Sequence, residues 1–158
     1  MKIQSGLQMT QKLINFLNDA KNKAFATDTG TKMHTILQHV IVDDKFGCCG
    51  DVNIIKIIKN RPDLAPFFTA KAKTEVAIAG KLRGRFISRR IDRLVINNDT
   101  KTICFIDYKT DTDKTLFIDK YKLQLQEYAQ LLKSAYSGYK ISGYILWTCD
   151  WQFEKIIG

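Results

Sequence analysis

The sequence predicts a single α/β domain of the α+β kind, with a mixed, mostly antiparallel sheet flanked by helices. Three observations lead there. Apolar residues recur at helical spacing through the first part of the chain, short apolar runs follow one another between residues 73 and 109, and a long amphipathic helix then precedes two more strands. At 158 residues the chain is one domain, large enough to bury roughly two-thirds of its unfolded surface. Residues 1–70 form its helical N-terminal part, and 71–158 the sheet with its crossing helix.

Helices are expected at about 6–26, 29–43 and 50–60, with a short one near 63–68 after Arg61-Pro62. In the second of these Gly30-Thr31 reads as a start, and Met33, Ile36, Leu37 and Val40 form its apolar stripe. Strands are expected at about 73–80, 83–89, 90–97 and 101–109, with Asn97-Asn98-Asp99-Thr100-Lys101 turning the third into the fourth. The segment Thr102-Ile103-Cys104-Phe105-Ile106 is nearly continuous apolar, as in an interior strand. Over about 118–136, Leu125, Tyr128, Ala129, Leu132 and Ala135 recur at three and four, which predicts a helix. Final strands are expected at about 139–149 and 151–156.

Bulk properties narrow the function classes. A composition 45% hydrophobic and 11% aromatic is globular, and no stretch approaches a transmembrane span. Net charge of +9 points to a polyanionic partner. Lys71, Lys73, Lys81, Arg83, Arg85, Arg89, Arg90 and Arg93 concentrate this charge in one segment, as either a nucleic-acid face or a solvated one. The N-terminus lacks the apolar core of a signal peptide. Cys48, Cys49, Cys104 and Cys149 have no metal-site spacing: Cys104 and Cys149 fall in apolar strands, Cys48-Cys49 in a Gly-rich loop. Reduced cysteines and a cytoplasmic location are expected. The absence of G-x-x-x-x-G-K-[ST] means no P-loop and no nucleotide cofactor in this chain.

Candidate chemistry centres on Asp107 and Lys109, which alternation puts on one strand face, with Ile106 and Tyr108 on the other. A carboxylate can hold a divalent cation, and an ammonium beside it can orient water or stabilise charge on phosphorus. An isolated Asp-x-Lys is also the pattern of a surface ion pair. The turn lies roughly midway between Asp92 and Asp107, so the two carboxylates could fall side by side across an antiparallel pair. Facing carboxylates destabilise a sheet unless a cation lies between them; otherwise one points to solvent and pairs with Arg90 or Arg93. His34 sits beside a helix's apolar stripe, as a ligand or a hydrogen-bonded boundary residue, and His39 reads as surface. Gln124 and Tyr128, four apart, stack on one helix face.

Taken in order, Gly30-Thr31-x-x-His34, Ile91-Asp92-Arg93-Leu94, Ile106-Asp107-Tyr108-Lys109-Thr110 and Gln124-Leu125-x-x-Tyr128-Ala129 resemble the RecB-like branch of the PD-(D/E)XK nuclease superfamily. The closer likeness is to the C-terminal nuclease domain of AddA-type helicase–nuclease subunits, from about Thr29 onward, with Glu75-Val76-Ala77-Ile78 and Tyr144-Ile145-Leu146-Trp147-Thr148 also similar. The resemblance implies a restriction-endonuclease-like core. It also implies Mg²⁺ or Mn²⁺ held by His34, Asp92, Asp107 and the Tyr108 backbone carbonyl, with Lys109 acting on the water. Gln124 and Tyr128 would position substrate, and Glu75 would be accessory. The basic residues Lys81, Arg83, Arg85, Arg89, Arg90 and Arg93 would meet DNA. Ser88-Arg89-Arg90 departs from the small residue usual before the Ile-Asp-Arg motif.

The implied activity is metal-dependent hydrolysis of DNA phosphodiesters, on single strands or duplex ends, in double-strand break processing and recombinational repair. Partners implied are DNA, a helicase motor and an AddB-like subunit, with no membrane. Cluster-binding relatives, the AddB type among them, need a different cysteine arrangement, so no iron–sulfur cluster is expected. On this reading the chain is either a fragment, a split-off subunit or a stand-alone nuclease. Competing readings are a catalytically silent DNA-binding module, a nuclease for RNA, or a domain regulating a recombination complex.

Overall fold

The computed structural model describes residues 28–158, so the helix expected over 6–26 lies outside the described residues. The chain is α+β, built on a five-stranded mixed sheet with helices on both faces. A helix, α1, occupies residues 28–38. It ends earlier than its apolar spacing predicts. Tighter bonds from His39 N to Ile36 O and Val40 N to Leu37 O close it, and the β-branched run Val40-Ile41-Val42 continues as strand β1 (Ile41–Asp43). β1 pairs with β2 (Gly47–Cys49), a small hairpin that the sequence reading took for helix and loop. Ile36, assigned to the buried stripe, is instead exposed.

α2 (Val52–Lys59) starts at Asp51, whose carboxylate accepts from Asn53 N and Ile54 N, and a 3₁₀ turn at Ala65–Phe67 follows. Then come β3 (Lys73–Leu82), β4 (Arg85–Asn97), β5 (Thr102–Lys109), α3 (Lys114–Ala135), β6 (Lys140–Trp147) and β7 (Gln152–Ile157), and the sheet order is that of the chain. Only β5 and β6 pair in parallel, because α3 provides the long crossover such a pair requires. The two strands expected over 83–97 are one, β4, since nothing at Arg89-Arg90 breaks the ladder to β3. α3 begins four residues earlier than expected, at the Asp113 cap. Cys149, expected in a strand, is exposed in the turn after β6.

The sheet divides two cores. On one face Ile91, Ile103, Phe105 and Ile145 pack against Leu125, Tyr128, Ala129 and Leu132 of α3. On the other, Ile106, Tyr108 and Leu146 meet Leu37 and Val40, Ile54 and Ile58 of α2, and Phe67 and Phe68. Each fully buried aliphatic or aromatic side chain contributes roughly 1.5–3 kcal/mol. Ala135 is exposed, and Leu131 is buried in its place, lying against Gly80 where a Cβ would come within 2.9 Å of its Cδ2. Gly143 is required in a similar way: it sits beside Phe105 in the parallel ladder, and a Cβ there would stand 2.4 Å from the Phe105 ring. That ring in turn packs edge-on against Tyr128 at 5.8 Å. Core packing thus fixes one of the candidate site residues.

Candidate metal and active site

The antiparallel ladder between β4 and β5 ends at Arg93 opposite Ile106, so the next positions along it are Asp92 and Asp107. Both side chains are buried. They do not point into one environment, however, because the alternation of β4 shifts at this place. Ile91 packs on the α3 side, whereas Arg93, two residues on, reaches the opposite core. The partner strand shows the matching irregularity. Glu75, between the pairs Thr74–Arg93 and Val76–Ile91, has φ of +54°. A left-handed non-glycine residue costs about 1–3 kcal/mol, and such strain collects at functional sites.

The irregularity brings Glu75 and Asp92 together with His34 from α1. Each offers a ligand atom, and these atoms lie within 4.8 Å of one another. His34 Nδ1 is 3.4 Å from Asp92 Oδ1, and its Nε2 is 3.1 Å from the Tyr108 carbonyl oxygen. Asp92 Oδ2 accepts from Tyr108 N at 2.7 Å, tying the carboxylate to β5. Gly30 lets α1 come this close, since a Cβ there would lie 3.2 Å from Thr110 Oγ1. Burial lowers the His34 pKa, but the Asp92 carboxylate more than offsets it, aided by the Tyr108 carbonyl and Asp107, so the pKa stands above the usual 6.5.

Asp107 is turned toward α3. Its Oδ1 accepts from Gln124 Nε2 at 3.3 Å and Tyr128 Oη at 3.4 Å, and Gln124 Nε2 also donates to Tyr128 Oη. Lys109 Nζ stands 2.5 Å from Asp107 Oδ2 and forms an ion pair with it. Burial pushes the Asp107 pKa up to about 6, against the pull of Lys109 and with the push of Asp92. Lys109 Nζ also donates to Gln124 Oε1 at 3.2 Å and lies 4.1 Å from the centre of the Tyr121 ring, whose hydroxyl donates to Asp111. Tyr121 and Asp111 were missed in the sequence. The signal was present for Tyr121, which precedes Gln124 by three and Tyr128 by seven and so shares their helix face.

His34, Glu75, Arg90, Asp111 and Tyr121, among others, line an open cleft of about 1100 Å³ between α1, the sheet edge and the start of α3. The donor set fits a divalent cation. One imidazole and two carboxylates suit Mn²⁺, and the oxygens suit Mg²⁺. His34, Glu75 and Asp92 would hold the ion, with Asp107 beside them.

Of the basic residues expected to meet DNA, Arg93 does not. It is 1% exposed, and its guanidinium donates to Tyr108 Oη and to the carbonyls of Phe67, Leu37 and Val40 while lying over the Phe68 ring. It is an internal brace that holds the Tyr108 ring, which meets His34 edge-on. The others are exposed. Arg90 pairs with Glu75 at 2.6 Å, and Arg89 with Glu127 at 2.8 Å.

If the cluster holds a cation, its effect on stability depends on pH. Ligands must be deprotonated to bind, so acid would compete with a cation at His34 and would neutralise the Asp107 carboxylate beside it. Without metal, the raised folded-state pKa of Asp107 means that its contribution to stability is present below about 4 and lost as pH rises through about 6. Added Mn²⁺ is therefore expected to raise Tm clearly at pH 7.5 and little at pH 5.5. Thermal melts with Mn²⁺ or EDTA at both pH values check this, and equal shifts would count against the site.

Fold and site together define an α+β domain with a strained His–Glu–Asp cluster beside a buried Asp–Lys pair. No family model matches the chain, and no curated protein does. Among solved structures, one described only as "Crystal structure of SSO0001" matches with a TM-score of 0.46 and 19% identity, covering 95% of this chain and 61% of that one. The chain thus spans about three-fifths of that structure's length. Among the described residues no helix is long and apolar enough to cross a membrane.

Proposed function

We propose that this chain is a metal-dependent nuclease that hydrolyses DNA phosphodiester bonds, as the nuclease part of an AddA/RecB-type system. The observation that carries the reading is the cluster of His34, Glu75 and Asp92, two of which line an open cleft, with the Asp107–Lys109 ion pair on the neighbouring strand. When bound, a divalent cation would supply Lewis-acid charge to the phosphoryl group. The chain's own groups do the rest. Lys109 is held by Gln124, Asp107 and the Tyr121 ring, so its ammonium can hydrogen-bond the attacking water and stabilise negative charge developing on phosphorus. Water forms the new P–O bond as the bond to the departing nucleotide oxygen breaks. Gln124 and Tyr128 keep Asp107 from rotating away. The net charge of +9 favours a polyanionic substrate. DNA rather than RNA rests on the motif resemblance, because nothing in the site reads a 2′-hydroxyl.

The test is a cleavage assay on end-labelled single- and double-stranded DNA with Mg²⁺, Mn²⁺ or EDTA. Degradation with either metal and none in EDTA is expected. Persistent cleavage in EDTA would exclude the mechanism, and binding without cleavage under any metal would favour a silent module.

A further inference from the structure

β3 and β4 outrun the rest of the sheet. They pair with each other from Lys73–Leu94 out to Leu82–Arg85, whereas β5 accompanies β4 only from Arg93 to Asn97. Beyond Ile91 the hairpin is therefore a two-stranded ribbon that leaves the sheet beside the candidate site. Its tip turns at Arg83-Gly84, both with positive φ. Near the tip Phe86 is 71% exposed, opposite Lys81 in the ladder. A phenyl ring so placed loses apolar burial without structural return, since no core cluster includes it.

The charges around it are also unspent. Arg89 and Arg90 have acidic partners, but Lys81, Arg83 and Arg85 are exposed and have no ion-pair partner among the described residues. Alternation puts Phe86, Ser88 and Arg90 in one row on β4. Arg90 lines the cleft that holds His34 and Glu75, and Phe86 lies four residues away, about 13 Å along the strand.

An exposed ring among unpaired cations is what a single nucleic-acid strand requires: a surface for an unstacked base and charges for the phosphates on either side. A paired duplex keeps its bases stacked and offers the ring no face. We propose that the β3–β4 ribbon guides a single strand into the cleft, with Phe86 stacking on one of its bases and Lys81, Arg83 and Arg85 holding the adjacent phosphates. This rests on the nuclease reading and adds the strandedness of the substrate and the residue that grips it.

The test measures binding by fluorescence anisotropy in the Lys109→Ala background, which prevents cleavage, using labelled oligothymidylate and the same backbone made wholly of abasic sites. Phe86→Ala is expected to weaken oligothymidylate binding about tenfold or more, and to have little effect on the abasic strand, where no base can stack. Phe86→Trp should retain affinity and show tryptophan quenching beyond that of the parent. Since Phe86 is exposed, melts of each variant should match the parent and so exclude misfolding. Equal affinity of the Phe86→Ala and parent proteins for oligothymidylate would overturn the inference, as would the same loss on both strands. If the parent cleaves DNA with Mn²⁺ but Phe86→Ala changes nothing, the ribbon inference fails alone. If the chain neither binds nor cleaves DNA, the nuclease reading fails with it.

Discussion

Replacement of Lys109 by alanine is expected to lower metal-dependent DNA cleavage by at least about a hundredfold, the usual cost of losing one preorganised group that stabilises transition-state charge. Structure separates this effect from misfolding. Lys109 is partly exposed, and its side-chain contacts are to Asp107, Gln124 and the Tyr121 ring at the rim of one core. Its loss leaves Asp107 buried without a cation, so the carboxyl should protonate more readily. The metal-induced rise in Tm should survive, because His34, Glu75 and Asp92 are untouched. Asp92→Ala should lose both cleavage and most of that rise. Asp107→Asn keeps the shape and the hydrogen bonds to Oδ1 while removing the charge, and should be nearly inactive with a reduced metal effect. Steady-state cleavage and melts on the same samples provide the comparison. Wild-type rates in Lys109→Ala would sink the assignment.

How much of this was legible in the sequence depended on the range of the interactions. The β5 strand and α3 were readable because their periodicities are local: an unbroken apolar run in one, three-and-four spacing in the other. The register that brings Asp92 and Asp107 to neighbouring positions was readable because a polar turn lies roughly midway between them, but not that their side chains part, one toward His34 and the other toward α3. The hairpin β1–β2 was not readable. Its first strand continues the apolar spacing of α1, and only the β-branched run at 40–42 marks the change. The strained backbone at Glu75 leaves no local mark, because a glutamate inside an alternating run reads as ordinary strand. It arises where two strands lose their alternation together, which is a property of the pair.

Arg93 is the case where sequence and structure part most widely, and it carries the largest expected loss of stability. In the sequence it is one of a crowd of arginines beside a probable site. In the structure its planar fork spans three segments, joining the carbonyls of Leu37, Val40 and Phe67 to the Tyr108 hydroxyl. No carboxylate pairs with it among the described residues, so its charge is met by dipoles and by the Phe68 ring, 4.1 Å away. Removing the fork leaves buried acceptors without donors, at about 1–3 kcal/mol for each group that water cannot reach. Arg93→Ala or Arg93→Met is therefore expected to cost about 3–5 kcal/mol, a large part of the roughly 5–15 kcal/mol that holds a domain folded. For a chain of this size that corresponds to a fall in Tm of about 10 °C or more. Arg93→Lys should recover only part, since an ammonium cannot reach four acceptors in a fixed plane. Freed from Arg93, the Tyr108 ring no longer has a fixed seat against His34, so metal affinity should fall along with stability. A surface DNA contact would behave in the opposite way, with Tm unchanged and the salt dependence of binding reduced by one phosphate contact. Melts of Arg93→Met beside Arg85→Met decide between the two: the first should lose stability and the second only DNA affinity.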